Sequence, residues 1–268
     1  MSLFSQSWSR RRVAGWCLAV TLALPAGLLG KPAAQAQDAG KILKAMSDYV
    51  ANQKVISAKF DSTIEVITAD LQKIQFASSG ELLLSRPNKL RVARTGGYAD
   101  IEIIFDGKTA IVHGKNVNAF ARLDAPGSID QLVDRLRDQL SVSLPGADLL
   151  VSNAYDALMS DVVDAKHIGQ GVIDGVECEH LAFRNPDTDW QIWVETGPRP
   201  IPRKYVITSK AVTGGPQYTL LIKDWKTDAQ IGPEAFAFKP PADAKEIEFK
   251  ALAELDEVPP GQASGEKK

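Results

Sequence analysis

The side chains best suited to metal binding or nucleophilic chemistry are three histidines and one cysteine. They are His113, His167, His180 and Cys178. Cys178 and His180 are two residues apart, so one strand face could present both to a metal ion. A zinc site needs further ligands, and the histidines fall in separate predicted strands. We therefore expect no metal site, no catalytic cluster and no cofactor.

Two further motifs are too incomplete to support chemistry. Residues 185–189 (NPDTD) carry carboxylates at the spacing of a calcium loop, but the glycine and the bidentate glutamate that should follow are missing. We expect a hairpin turn there. Gly169, Gly171 and Gly175 precede a strand pattern rather than a helix, so they do not form a phosphate cradle. No Gly-x-Ser-x-Gly elbow is present, and the sequence favours a binding protein over an enzyme.

Composition narrows the class of protein. The chain has 268 residues, 31 Lys+Arg against 33 Asp+Glu, 44% hydrophobic residues and two cysteines. This hydrophobic fraction, combined with low net charge, excludes a disordered chain. The absence of a basic field argues against a nucleic-acid partner, and the length suffices for a large hydrophobic core.

The first 36 residues predict a secretory signal peptide that is cleaved. Arg10 to Arg12 precede an apolar run over 13–29, and residues 34–36 (AQA) supply the cleavage site. A membrane anchor is the alternative, but Pro25 and Gly27 interrupt the run. The twin-arginine route is open beside ordinary Sec export. We expect an exported, periplasmic protein with its mature N-terminus at Gln37 and Cys178 as its one cysteine.

Hydrophobic periodicity predicts helices at the start and in the middle of the mature chain. Apolar residues recur at helical spacing over 39–54, with Asp38 as N-cap. A second helix should begin at Ser128 as N-cap and run until Pro145. A third should cover 148–160.

The remainder alternates with the period of two that half-buried strands require. In the first strand Ala58, Phe60 and Ile64 alternate with Lys59, Asp61 and Glu65. Short turns between successive strands favour antiparallel hairpins. The predicted fold class is therefore α+β, a large curved antiparallel sheet with helices against one face. Its eleven strands are predicted at 55–66, 73–85, 89–95, 100–105, 109–113, 162–169, 172–184, 190–196, 202–211, 216–225 and 245–249.

Three segments, in order, resemble the periplasmic lipoprotein carriers and receptors of the LolA/LolB type. They are residues 80–88 (GELLLSRPN), 105–109 (FDGKT) and 235–242 (AFAFKPPA). Residues 178–183 (CEHLAF), 189–195 (DWQIWVE) and 202–206 (PRKYV) are closer still to an uncharacterised family of predicted periplasmic proteins in that superfamily. The similarity spans about residues 38 to 250. This chain differs from the carriers, which are shorter, by additional strand-rich sequence around residues 162–215.

The resemblance implies an unclosed half-barrel with a helical lid on its concave face and an apolar cavity for acyl chains. It divides the chain into a signal peptide (1–36), a carrier-like domain (37–252) and a disordered tail (253–268). Ordinary core packing is the alternative role for the residues expected to line the cavity. These are Phe60, Ile64, Phe76, Leu82, Leu84, Leu90, Ile103, Leu132, Leu136, Trp190, Ile192, Trp193 and Trp225.

By the same resemblance, Arg86 in the Arg-Pro-Asn turn would hydrogen-bond the lid and lock it. A solvated turn charge is the alternative. The predicted function is binding, and possible carriage, of a lipid, an acylated protein or another hydrophobic ligand by a monomer, with an envelope membrane protein as a possible partner. Two alternatives stay open: an envelope sensor or adaptor acting by protein contact, and a hydrolase with a dispersed site.

Overall fold

A computed structural model describes residues 32–139 and 144–249, which belong to one compact unit. The chain begins with helix α1 (Pro32–Ala51). Six strands follow: β1 (Val55–Ile67), β2 (Lys73–Ser85), β3 (Lys89–Gly96), β4 (Asp100–Phe105), β5 (Thr109–Gly114) and β6 (Ala119–Asp124). Residues 1–31 of the predicted signal peptide (1–36) lie outside the described residues, and so does the predicted tail from residue 253.

The middle of the chain is helical but interrupted. Helix α2 (Ile129–Asp134) continues as a π-helical turn (Arg135–Gln139), and a 3₁₀ turn (Ala147–Leu149) precedes α3 (Ala154–Met159). The predicted Ser128 cap is confirmed. Its side chain accepts from the Gln131 backbone N–H while Gln131 Oε1 accepts from the Ser128 N–H, a reciprocal capping box. The continuous helix predicted up to Pro145 is wrong, because the α-helical bonding stops at Asp134.

Strands then resume and complete one sheet. They are β7 (Asp164–Ile173), β8 (Val176–Arg184), β9 (Thr188–Glu195), β10 (Pro202–Ser209), β11 (Gln217–Lys226) and, after a 3₁₀ turn (Pro233–Phe236), β12 (Lys245–Glu246). The strand order is β12-β6-β5-β4-β3-β2-β1-β11-β10-β9-β8-β7. All pairs are antiparallel except β12 with β6, and the sheet does not close.

The predicted α+β class with an unclosed half-barrel is thus confirmed, with twelve strands instead of eleven. The additional strand is β6. The predicted break between the sixth and seventh predicted strands, at residues 170–171, is also wrong, since β7 runs to Ile173. The turn falls at Asp174 and Gly175, whose φ angles of 47° and 79° suit a two-residue hairpin.

The inner, concave face is defined by the helices that pack on it. Side chains of β1 alternate as predicted, because Ala58 and Phe60 pack with α1 residues Leu43 and Met46 while Lys59 is exposed. One core cluster joins α1 and α3 to β7 through β11. A second joins α2 to β2 through β5 and contains Leu84, Leu90, Phe105, Ile129, Leu132 and Leu136.

Candidate ligand-binding face

Two of the segments that carry the sequence resemblance, residues 80–88 and 105–109, meet at one corner of the sheet. The β2–β3 turn (86–88) lies against the β4–β5 turn, where Gly107 has φ +95° and a Cβ added to it would come within 2.5 Å of Asn88 Nδ2. The lid begins at this corner: Ile129 N–H donates to the Pro87 carbonyl at 2.9 Å and Ala125 N–H to the Lys108 carbonyl at 2.7 Å. The two turns therefore form the base of the lid.

The lid, defined as residues 128–139 and 144–159, is held together by side chains from its separate turns. Asp130 of α2 accepts from the Ser152 N–H at 3.0 Å, and Arg137 of the π-helical turn pairs with Asp148. Its apolar side faces the sheet, where Leu132 and Leu136 are buried. A lid built from short turns tied by polar contacts can rearrange at lower cost than one continuous helix.

Most of the predicted lining residues lie together on the inner face. Strand pairing places Ile64 opposite Phe76, Ala58 opposite Leu82, and Val92 opposite Ile103. Leu82, Val92, Ile101 and Ile103 are only partly buried. We call these four residues the open apolar strip, which adjoins the second core cluster.

Trp190 and Ile192 also face inward, but Trp193 does not. Neighbouring residues of a strand point to opposite faces, and Trp193 stacks on His180 with ring centroids 4.1 Å apart on the outer face. Its placement among the inner residues is corrected accordingly. The alternation within β9 was the sequence feature that could have separated it from Trp190.

Trp225 reaches the inner face through a β-bulge. The register of β11 against β1 shifts between Ser57 and Lys59, and Asp224 in the bulge has φ 48°. Trp225 packs against both core clusters. Its indole Nε1 is buried without a hydrogen-bond partner, so this ring sits where the two halves of the core meet.

Arg86 lies at the lid base, and two of its hydrogen-bond donors are unpaired in the described part of the chain. Its side chain is partly buried, and within the described part of the chain Nε and Nη2 are buried with no hydrogen-bond acceptor. Burial lowers the pKa of the guanidinium, and the negative charge of Asp130 on α2 opposes that shift. The described lid carbonyls do not accept from these two nitrogens.

A row of polar groups that was not predicted from the sequence crosses the same face. Ser62 and Ser78 hydroxyls are 2.8 Å apart and buried. Burial raises the pKa of Tyr218, and a hydrogen bond with Ser62 counteracts it. Arg94 occupies the inner register of β3, opposite Gly80 and Ile101. Cross-strand register, which the sequence leaves undetermined, brings these groups together.

The residues considered for metal or nucleophilic chemistry have structural partners. Cys178 is fully buried, and burial raises the pKa of its thiol, which disfavours the reactive thiolate. His180 bonds Gln191 at 2.9 Å. Residues 185–187 form the predicted hairpin turn, with Asn185 N–H donating to the Thr188 carbonyl. Within residues 32–139 and 144–249, no group of three or more His, Cys, Asp or Glu could hold a metal ion.

Two grooves are open to solvent, and neither lies over the open apolar strip. One, of about 330 Å³, is lined by residues that include Asp61, Ile173, Lys204 and Leu221. The other, of about 270 Å³, lies between residues 125–126 and the outer side of the lid. Beneath α2 the inner face is packed with lid and core side chains, whereas the four residues of the strip stay partly exposed.

Comparison with known families gives one match, to the family described as "Predicted periplasmic protein (DUF2092)", over residues 39–250. The chain belongs to this family. The prediction of an uncharacterised periplasmic family from the sequence is thereby confirmed. No curated protein matches the chain, and none of the described helices is long and apolar enough to cross a bilayer.

Solved structures show distant likeness. An uncharacterised conserved protein from Thermus thermophilus is 12% identical, with 79% of this chain and 99% of that chain covered and a TM-score of 0.48. The Mycobacterium tuberculosis lipoprotein LppX is 12% identical, covering 73% and 99%, with a TM-score of 0.38. A LolA superfamily protein from Nitrosomonas europaea is 15% identical, covering 76% and 98%, with a TM-score of 0.34.

Proposed function

We propose that this family member is an exported periplasmic protein that binds a hydrophobic ligand between the inner face and the lid. The ligand is a lipid or the acyl chain of a lipoprotein, and binding, not catalysis, is the activity. The observation that carries this proposal is the open apolar strip, which is partly exposed beside a lid of short turns. The protein acts as a monomeric carrier or chaperone after cleavage of its signal peptide, so that the mature chain begins at Gln37.

Acyl-chain burial supplies enough free energy for this function. Each buried CH₂ contributes about 0.8 kcal/mol, so a long chain gains roughly 10 kcal/mol before ordering costs. Because the inner face is packed, the ligand must displace the lid, and Leu132 and Leu136 then contact the ligand instead of the sheet. Arg86 holds the ligand at the lid base, since its two unpaired donors can bond an ester or carboxylate oxygen of the ligand beneath α2.

The first test is mass spectrometry of lipids extracted from protein purified from the periplasm. Recovery of a stoichiometric lipid is expected. A protein that carries no lipid and binds no fluorescent fatty acid would contradict the proposal. A stable complex with an envelope protein under those conditions would favour the adaptor function instead.

The second test compares Leu136→Ala in the lid with Leu181→Ala in the cluster under α1. Both side chains are buried, and each truncation should lower the unfolding free energy by about 2–5 kcal/mol. The lid variant alone should accelerate dissociation of a fluorescent fatty acid. Equal dissociation rates for the two variants would remove the lid from the binding site.

A further inference from the structure

The open apolar strip ends where the chemistry of β2 and β3 changes. Read from the lid base, the inward-facing residues of β2 pass from leucine to glycine and then to serine: Leu84, Leu82, Gly80 and Ser78. The inward side of β3 changes from apolar to charged at the same level, because Arg94 stands opposite Gly80. The apolar surface that begins at the lid base therefore stops at Gly80.

Phe60 closes the strip at that level. It stands directly opposite Gly80 on the neighbouring strand β1 and packs against the core cluster under α1. A Cβ added to Gly80 would collide with the Phe60 ring on one side and with the Ala93 carbonyl oxygen on the other. The ring thus rests on the bare backbone of Gly80. Because it also packs against a close-packed core, it forms a firm wall.

The surface beyond the Phe60 ring is polar. The Ser62 and Ser78 hydroxyls are buried and 2.8 Å apart, and Ser62 also shares a hydrogen bond with Tyr218. An acyl chain that passed the ring would have to separate these groups and leave buried polar atoms unpaired, which is unfavourable. Phe60 therefore marks the boundary between the apolar and the polar parts of the inner face.

The distance from this wall to the lid base corresponds to a long acyl chain. Arg86, which we assign to the ligand oxygen, follows Gly80 by six residues. A strand advances about 3.4 Å per residue, so the two levels are roughly 20 Å apart. Carbon–carbon bonds of about 1.5 Å advance an extended chain by roughly 1.25 Å per carbon, so about sixteen carbons span this distance.

We propose that Phe60, seated on Gly80, is the stop for the methyl end of the ligand and limits its acyl chain to about sixteen carbons. The ligand then runs along β2 and β3, from Arg86 beneath α2 to the open apolar strip. This assignment of chain length rests on the proposed function. It makes Phe60 a specificity-determining residue and explains the glycine at position 80.

The test measures binding of fatty acids to the full mature chain by displacement of the dye 1-N-phenylnaphthylamine. Across saturated fatty acids of about 10 to 20 carbons, affinity should rise by up to about four-fold per added carbon as far as about sixteen carbons and then level off. In Phe60→Ala the limit should move to chains about two to four carbons longer, since the next residue level on β2 becomes accessible. Phe183→Ala is the matched control, because Phe183 belongs to the same core cluster but lies on β8. Its limit should equal that of the wild type.

A second variant, Phe60→Leu, keeps an apolar side chain and covers the case in which Phe60→Ala does not fold. Its limit should move in the same direction by a smaller step. Affinity that keeps rising up to the longest chain in the wild type would overturn the stop, and so would a limit that no folded Phe60 variant shifts or that Phe183→Ala shifts equally. These results would leave the proposed function intact. Absence of binding at every chain length would instead refute the proposed function, and the stop with it.

Discussion

Replacing Arg86 with methionine should separate stability from ligand retention. The guanidinium is partly buried at the lid base, and two of its nitrogens lack acceptors within the described residues. Burial lowers its pKa, which means that folding disfavours the charged form. Two buried donors that lack acceptors in the described part of the ligand-free protein can bond a ligand oxygen, as proposed above.

The magnitudes favour a small change in stability. An unsatisfied buried donor costs about 1–3 kcal/mol, and methionine removes that cost while keeping a long apolar stem in place. Attraction to Asp130 is lost, but no direct ion pair joins the two side chains among the described contacts, and weakly coupled pairs contribute about 0–1 kcal/mol. The unfolding free energy of Arg86→Met should therefore equal that of the wild type or exceed it by about 1 kcal/mol.

Ligand retention should change much more. A charge-assisted bond from the guanidinium to a ligand oxygen contributes about 1.5–3 kcal/mol. Its loss should accelerate dissociation of a fluorescent fatty acid roughly ten-fold or more, because about 1.4 kcal/mol corresponds to a factor of ten. A fatty alcohol of equal chain length should show a smaller effect, since it lacks the anionic oxygens.

Urea unfolding of ligand-free protein and stopped-flow displacement measure the two quantities. Arg184→Met on the exposed end of β8 serves as the control. A loss of stability above about 1 kcal/mol in Arg86→Met, with faster amide exchange in α2, would show that Arg86 already stabilises the closed lid without ligand. If Arg86→Met changes neither the unfolding free energy nor the dissociation rate of the fatty acid, Arg86 is only a solvated charge in the turn.

Three further predictions concern the lid base, the sheet and the core. Gly107→Ala should lower the unfolding free energy by about 1–2 kcal/mol, because alanine disfavours the left-handed backbone at this position. It should also accelerate amide hydrogen exchange of residues 125–129. Adding Asn88→Ala removes the collision between the new Cβ and the Asn88 side chain but not the backbone strain. Trp225→Phe should leave the unfolding free energy within about 1 kcal/mol of wild type, since it removes an unpaired buried N–H. It should also reduce the change in tryptophan fluorescence on fatty-acid binding, leaving the contribution of Trp190 on the same face. Glu65→Gln should lower the unfolding free energy by about 1–3 kcal/mol near neutral pH, measured by urea unfolding, and a difference that persists in strong acid would contradict this.

The pH dependence at Glu65 follows from its surroundings. Burial raises the pKa of this carboxyl, but hydrogen bonds from Gln75, Lys73 and the Gln217 N–H outweigh burial and hold the pKa below its usual value. A lowered folded-state pKa gives stability that is present above the unfolded-state pKa and is lost as pH falls through the folded one. The difference in unfolding free energy between the wild type and Glu65→Gln should therefore shrink only under acidic conditions.

Local patterns in the sequence predicted the elements whose structure is decided locally. The alternation in β1 and the Ser128 capping box depend on residues close in sequence, and both are observed. The predicted length of the lid helix was wrong: the α-helix ends at Asp134, and the π-helical turn that follows pairs Arg137 with Asp148 elsewhere in the lid. Hydrophobic periodicity does not report such tertiary contacts.

Assignment of residues to the two faces failed at Trp193, and alternation alone does not explain the inward position of Trp225. Trp193 and Trp190 are three residues apart in one strand and so lie on opposite faces. Trp225 would face outward by simple alternation from Ile222, and the bulge at Asp224 turns it inward. A bulge adds one residue to a strand and reverses all later parity.

The packing of the inner face also constrains how any ligand enters. Apolar periodicity is the same for a filled barrel and a hollow one, so the sequence left this open. Beneath the lid this face is occupied by Leu132 and Leu136, and Phe249, which follows β12, packs against the same cluster. A ligand therefore gains burial only by removing apolar contacts that already exist, and its affinity reflects the difference between the two sets of contacts. Truncating Phe249 should therefore tighten binding, whereas truncating Leu136, which contacts the bound ligand, should weaken it.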